Sequence, residues 1–177
     1  LLKSMDEGIA DFHGFSLTCL AKFNKPGCDP RFLALSFDET KPDDARVIQE
    51  RNLSDDTKCM TAELRNAFNN FQPNNFLNGG LHYKVGSLIS TALYQAALPI
   101  AKEDILQKAL IAALDDESAK TPGFRQFISQ NQETPQQFTP EVMTNIIASH
   151  ITDLQLKNAV CKQLWDHLDL DGAKLNT

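Results

Sequence analysis

Residues 85–97 read Val85-Gly86-Ser87-Leu88-Ile89-Ser90-Thr91-Ala92-Leu93-Tyr94-Gln95-Ala96-Ala97. Val85, Leu88, Ile89, Ala92, Leu93, Ala96 and Ala97 recur three and four apart, the spacing that lines one face of an α-helix. Pro99 ends the run, because its ring removes a backbone donor and collides with the preceding turn. The spacing predicts a long helix over 86–98. Toward the C-terminus the same period returns in Leu106, Ala109, Leu110, Ala113 and Leu114, predicting a helix over 103–115. Thr121-Pro122 starts a short helix carrying Phe124, Phe127 and Ile128, and residues 129–138 are a polar loop. Thr139-Pro140-Glu141 caps a helix holding Val142, Met143, Ile146, Ile147 and Ile151. Thr152-Asp153-Leu154-Gln155 has capping-box spacing, with the Thr152 hydroxyl as cap and Gln155 reaching back, and opens a last helix to Leu168. Toward the N-terminus, Gln72–Gly80 is a loop rich in Asn, Pro and Gly. Before it, Met60, Leu64, Ala67, Phe68 and Phe71 form a stripe behind a cap region at Ser54–Thr57. The expectation is a bundle of about five helices between residues 55 and 170.

The first fifty residues read differently. Leu2, Met5, Ile9 and Phe12 predict a helix over 2–12, ended by Gly14. Phe15, Leu17, Cys19, Ala21 and Phe23 then alternate with a period of two, as do Leu33, Leu35 and Phe37. Between them Asn24–Pro30 is dense in turn formers, so the pattern predicts a β-hairpin with strands 15–23 and 31–37. Pro42, with Asp43 and Asp44 behind it, opens a predicted helix to about Asn52. The expected fold is mainly α, a helical bundle with a small N-terminal hairpin patch. Residues 1–53 would form a helix-plus-hairpin segment, the tail of a larger domain, and 54–177 the bundle.

The chain has 177 residues, 42% hydrophobic and 23% charged, which is enough for a packed core. Its net charge of −6 argues against nucleic-acid binding, which needs Lys and Arg to displace counterions from phosphates. No apolar run approaches the roughly 20 residues of a membrane span. Leu1 is followed by no signal segment, so the chain is expected to be a piece of something longer. Cys19, Cys28, Cys59 and Cys161 have no zinc-like spacing and read as reduced thiols of a cytoplasmic protein; Cys19 and Cys28 could pair across the hairpin in an oxidising compartment. Asp166, Asp169, Asp171 and Gly172 fail as a calcium loop, because the twelfth position falls past Thr177. Phosphate-loop, dinucleotide, zinc-protease and serine-hydrolase motifs do not occur. No cofactor and no metal is expected, and the expected partner is a protein, as substrate or as binding partner.

One constellation carries chemistry. His13 precedes the first predicted strand and Asp38 follows the second, so antiparallel pairing would bring imidazole and carboxylate together. Cys59 falls in the first turn of a predicted helix, where exposed amides favour a thiolate. The order His, Asp, Cys resembles the thiol-protease clan of adenovirus protease and SUMO-specific proteases, which includes bacterial effector deubiquitinases and acetyltransferases. The resemblance covers about residues 11–68 and implies His13 as general base, Asp38 as orienting acid and Cys59 as nucleophile. Met60 stands where that clan has Gly, and Leu53, six residues before Cys59, where it has Gln. In a papain-like arrangement the nucleophile would instead precede Leu1. The many Lys, Asn and Gln residues resemble effectors of intracellular bacteria, which implies secretion into a host cytosol. The plain alternative makes His13 a surface residue, Asp38 a turn residue and Cys59 a small buried hydrophobe. His82, behind Gly79-Gly80, is a second candidate, able to form a dyad with Cys19. Phe124, Phe127 and Phe138 read either as core or as a partner groove. The non-catalytic reading is a helical protein–protein interaction module of a larger protein.

Overall fold

The computed structural model describes residues 1–16, 36–37, 47–49, 53, 59–69, 81–115, 122–130 and 138–170. These are mainly helical. Seven α-helices are α1 (Leu2–Phe15), α2 (Ala62–Asn69), α3 (Leu81–Ala97), α4 (Glu103–Asp115), α5 (Phe124–Gln130), α6 (Pro140–Ser149) and α7 (Leu154–Leu168). Two short strands, β1 (Ser36–Phe37) and β2 (Val47–Gln49), pair antiparallel. Among the described residues no helix is long and apolar enough to cross a membrane.

The opening hairpin is the main correction. Phe15 and Ser16, expected to begin a strand, are helical. Phe15 belongs to two patterns at once, the alternation that follows it and the stripe Met5, Ile9, Phe12, Phe15 that precedes it. The helical stripe wins because it buries Phe15 edge-on against Tyr94, with ring centroids 5.0 Å apart. Gly14 does not stop α1, since the backbone hydrogen bonds continue through Ser16. Ser36 and Phe37, expected to pair with 15–23, pair with Val47–Gln49 instead. That stretch was expected to be helical, but Val47 and Ile48 are β-branched and favour extended backbone. Most of the predicted hairpin, residues 17–35, lies outside the described residues. Among the described residues the α-helices number seven where about five were expected for the bundle, with α1 joining it.

α3 is the central rod. Every residue from Val85 to Tyr94 is buried, which is the signature of a helix covered on all sides. Its polar Ser90 Oγ donates to the Ser87 carbonyl at 3.1 Å, so the buried hydroxyl is satisfied within the helix. α1 and α7 flank it, and Met5, Ile9 and Phe12 of α1 lie in the same core as Leu156, Val160 and Leu164 of α7. Residues 1–15 are therefore one wall of the bundle's core. Ser4 lies beside Gly86, Gly8 beside Ile89 and Phe15 beside Tyr94, so α1 and α3 run in the same direction.

Two caps punctuate the C-terminal half. Thr139 Oγ1 accepts from Val142 N at 3.3 Å with Pro140 in the first turn, as its sequence predicts. For α7 the cap is Asp153 rather than Thr152: its carboxylate accepts from Leu156 N at 2.8 Å and from Lys102 Nζ at 2.7 Å. Gln155, expected to reach back to the backbone, accepts from Lys102 instead. The Lys102 ammonium, then the Leu156 amide, hold the Asp153 carboxyl below the ordinary carboxylate range. The unfolded chain therefore binds this proton more readily than the folded one. Stabilisation by Asp153 is present at neutral pH and lost as the pH falls through the carboxylate range. Asp153→Ala is expected to lower the thermal midpoint more than Asp153→Asn, which keeps an acceptor for Leu156. The gap between wild type and Asp153→Asn should close on acidification, as followed by circular dichroism melts from pH 7 to pH 3.

Candidate functional site

The three residues of the predicted thiol site meet different fates. His13 sits in the last turn of α1, half-buried. Its Nε2 has no hydrogen-bond partner among the described residues, and burial lowers its pKa. Burial thus favours the neutral ring. Asp38 lies outside the described residues. Cys59 is a free, partly buried thiol that precedes α2 instead of opening it. The helix starts at Ala62, and Thr61 Oγ1 accepts from Leu64 N at 3.1 Å. The Thr61 hydroxyl, on an amide three residues ahead, acts as the cap of this helix and leaves Cys59 before its first turn. Leu53, at the place where the clan carries an oxyanion-hole donor, is fully buried beside Phe15 and Tyr94. Its carbonyl accepts from Gln95 Nε2 at 3.4 Å.

Cys59 stands next to the C-terminal end of α7. The amide of Met60 donates to the His167 carbonyl at 2.8 Å. Arg65 of α2 donates through Nη2 to the Leu168 carbonyl at 2.9 Å and to the Asp169 carbonyl, and its Nη2 lies 3.5 Å from the Asp169 carboxylate. Residues 60–65 therefore cap α7 from outside, satisfying carbonyls that have no partner within the helix. His167 and Asp169 are both buried there. Among the described residues, no three His, Cys, Asp or Glu side chains converge as metal ligands would.

A different feature has the shape of a binding site. A cleft of about 630 Å³ opens between α1, α4 and α5, within the range typical of ligand sites. It is lined by Leu2 and Met5 of α1, Leu114 of α4 and Phe124 and Ile128 of α5, together with Lys3, Asp6 and Arg125. Arg125 reaches across to Asp115 at 2.9 Å, tying α5 to the end of α4. Ile128 remains 39% exposed, although a β-branched apolar side chain gains by leaving water. Phe124 and Phe138 pack edge to face with centroids 5.8 Å apart, and both are buried. Of the two readings of these rings, the core one holds, with Phe124 also presenting its side to the cleft. Sequence reasoning missed the cleft because its walls come from residues 2–6, 114 and 124–129, which no period connects. The spacing of Phe124 and Ile128, four apart on a short polar helix, was the one available signal.

Compared with protein-family models, curated proteins and solved structures, the chain matches none of them.

Proposed function

We propose that this chain is a non-catalytic helical module that binds a protein partner by taking an amphipathic helix of that partner into the cleft between α1, α4 and α5. The observation that carries the reading is the cleft itself, lined mostly by apolar side chains together with charges of both signs. Its walls are ridges of two helices, Leu2 and Met5 on α1 and Phe124 and Ile128 on α5. A third helix fits such a trough by laying its own ridge of side chains between them. Lys3, Asp6 and Arg125 offer ion pairs that set the register more than the affinity.

The test is selection of displayed peptides on the folded chain, followed by titration of the enriched sequences. Enriched peptides should carry apolar residues at helical spacing. Ile128→Glu should weaken them by about tenfold or more, roughly 1.4 kcal/mol. Trp165→Ala, on the outer side of α7, should leave them unchanged. Enrichment of peptides indifferent to Ile128→Glu, or no enrichment at all, overturns the proposal.

A second reading has one observation in its favour: His13 Nε2 is buried with no hydrogen-bond partner among the described residues, and burial lowers its pKa, which favours the neutral form in which an imidazole takes a thiol proton. On that reading the chain is a cysteine-dependent hydrolase or acyltransferase of the adenovirus-protease type. His13 accepts the Cys59 proton, the sulfur attacks a substrate carbonyl, and the proton passes to the departing amine. The two readings separate by alkylation with a peptide-based electrophile. The module reading expects Cys59 to react like an ordinary cysteine thiol, unaltered by His13→Ala. A rate about a hundredfold above that, lost in His13→Ala, favours the enzyme.

A further inference from the structure

We draw no further inference here: the strongest candidate, the outward edge of α7 carrying the exposed Leu154 and Trp165 with Cys161 between them, is an apolar face with nothing in the structure to show what covers it.

Discussion

A Gly8→Val variant is expected to lose about 3 kcal/mol of folding stability and to melt roughly 6–12 °C below wild type. A Cβ built on Gly8 would lie 2.7 Å from the Gly86 carbonyl oxygen and 2.8 Å from Ile89 Cβ. The reciprocal Cβ on Gly86 would lie 2.9 Å from the Ser4 carbonyl oxygen. Two of these obstacles are backbone oxygens, which cannot rotate away as a side-chain tip can. The only relief is for α1 to move off α3, and that withdraws Met5, Ile9 and Phe12 from the core together. Gly8→Ala should also destabilise, by less, because alanine regains about 1 kcal/mol in helix propensity. Gly14 is the internal control. Its added Cβ meets nothing within 4 Å among the described residues, so Gly14→Ala should stabilise the chain by about 0.5–1 kcal/mol. Urea unfolding of the three variants decides the matter. A Gly8→Ala protein more stable than wild type would mean that α1 and α3 do not touch through their backbones.

The second large effect is expected at Arg65. Arg65→Met should cost about 2–4 kcal/mol, less than the loss of a fully buried pair because this guanidinium is 30% exposed on its outer side. Three acceptors depend on it: the Leu168 carbonyl, the Asp169 carbonyl and, at 3.5 Å, the Asp169 carboxylate. Asp169 is 1% exposed and its backbone is left-handed, with φ at 50°. Its carboxylate therefore has little access to water when the guanidinium is gone. Arg65→Lys should recover only part of the loss, since an ammonium is a point donor and lacks the planar fork. Asp169→Asn should cost less in the Arg65→Met background than in wild type, because the Arg65–Asp169 ion pair is then already gone. Amide hydrogen exchange should show the loss concentrated in the last turn of α7. An Arg65→Met protein with wild-type unfolding and unaltered exchange there would remove this clamp from the account.

The two effects have opposite legibility in the sequence. Gly8 and Gly86 carry no pattern of their own, and Gly8 sits inside a run whose apolar stripe would read the same with alanine. That the two glycines touch follows only from the parallel approach of α1 and α3. Arg65 likewise sits on a helix face as an ordinary solvated cation until the end of α7 is placed beside it. The caps behave differently. Thr139-Pro140 was readable because the hydroxyl acts on an amide three residues away, within one turn. The cap of α7 was readable to within one position, and the choice of Asp153 over Thr152 was made by Lys102, 51 residues earlier.

The thiol constellation shows where local reading fails. Joining His13 to Asp38 requires a hairpin, and that hairpin was inferred from alternation beginning at Phe15. The same residue also completes a helical stripe. Sequence alone weighs the two periods equally, whereas burial against Tyr94 and Leu53 does not. Once α1 runs through Phe15, His13 is a residue of a helix's last turn rather than the lip of a strand.

By itself the sequence determined that this is a mainly helical chain, where α4, α6 and α7 begin and end to within a few residues, and where α3 ends, though not its start at Leu81, five residues before the predicted one. Those properties follow from hydrogen bonds, caps and periodicity spanning a turn or two. Tertiary structure alone decided that α1 joins the bundle, that residues 60–65 close α7, and that α1, α4 and α5 leave a cleft between them. Each of these depends on atoms far apart in the chain, whose contact energy appears only when the helices are already packed.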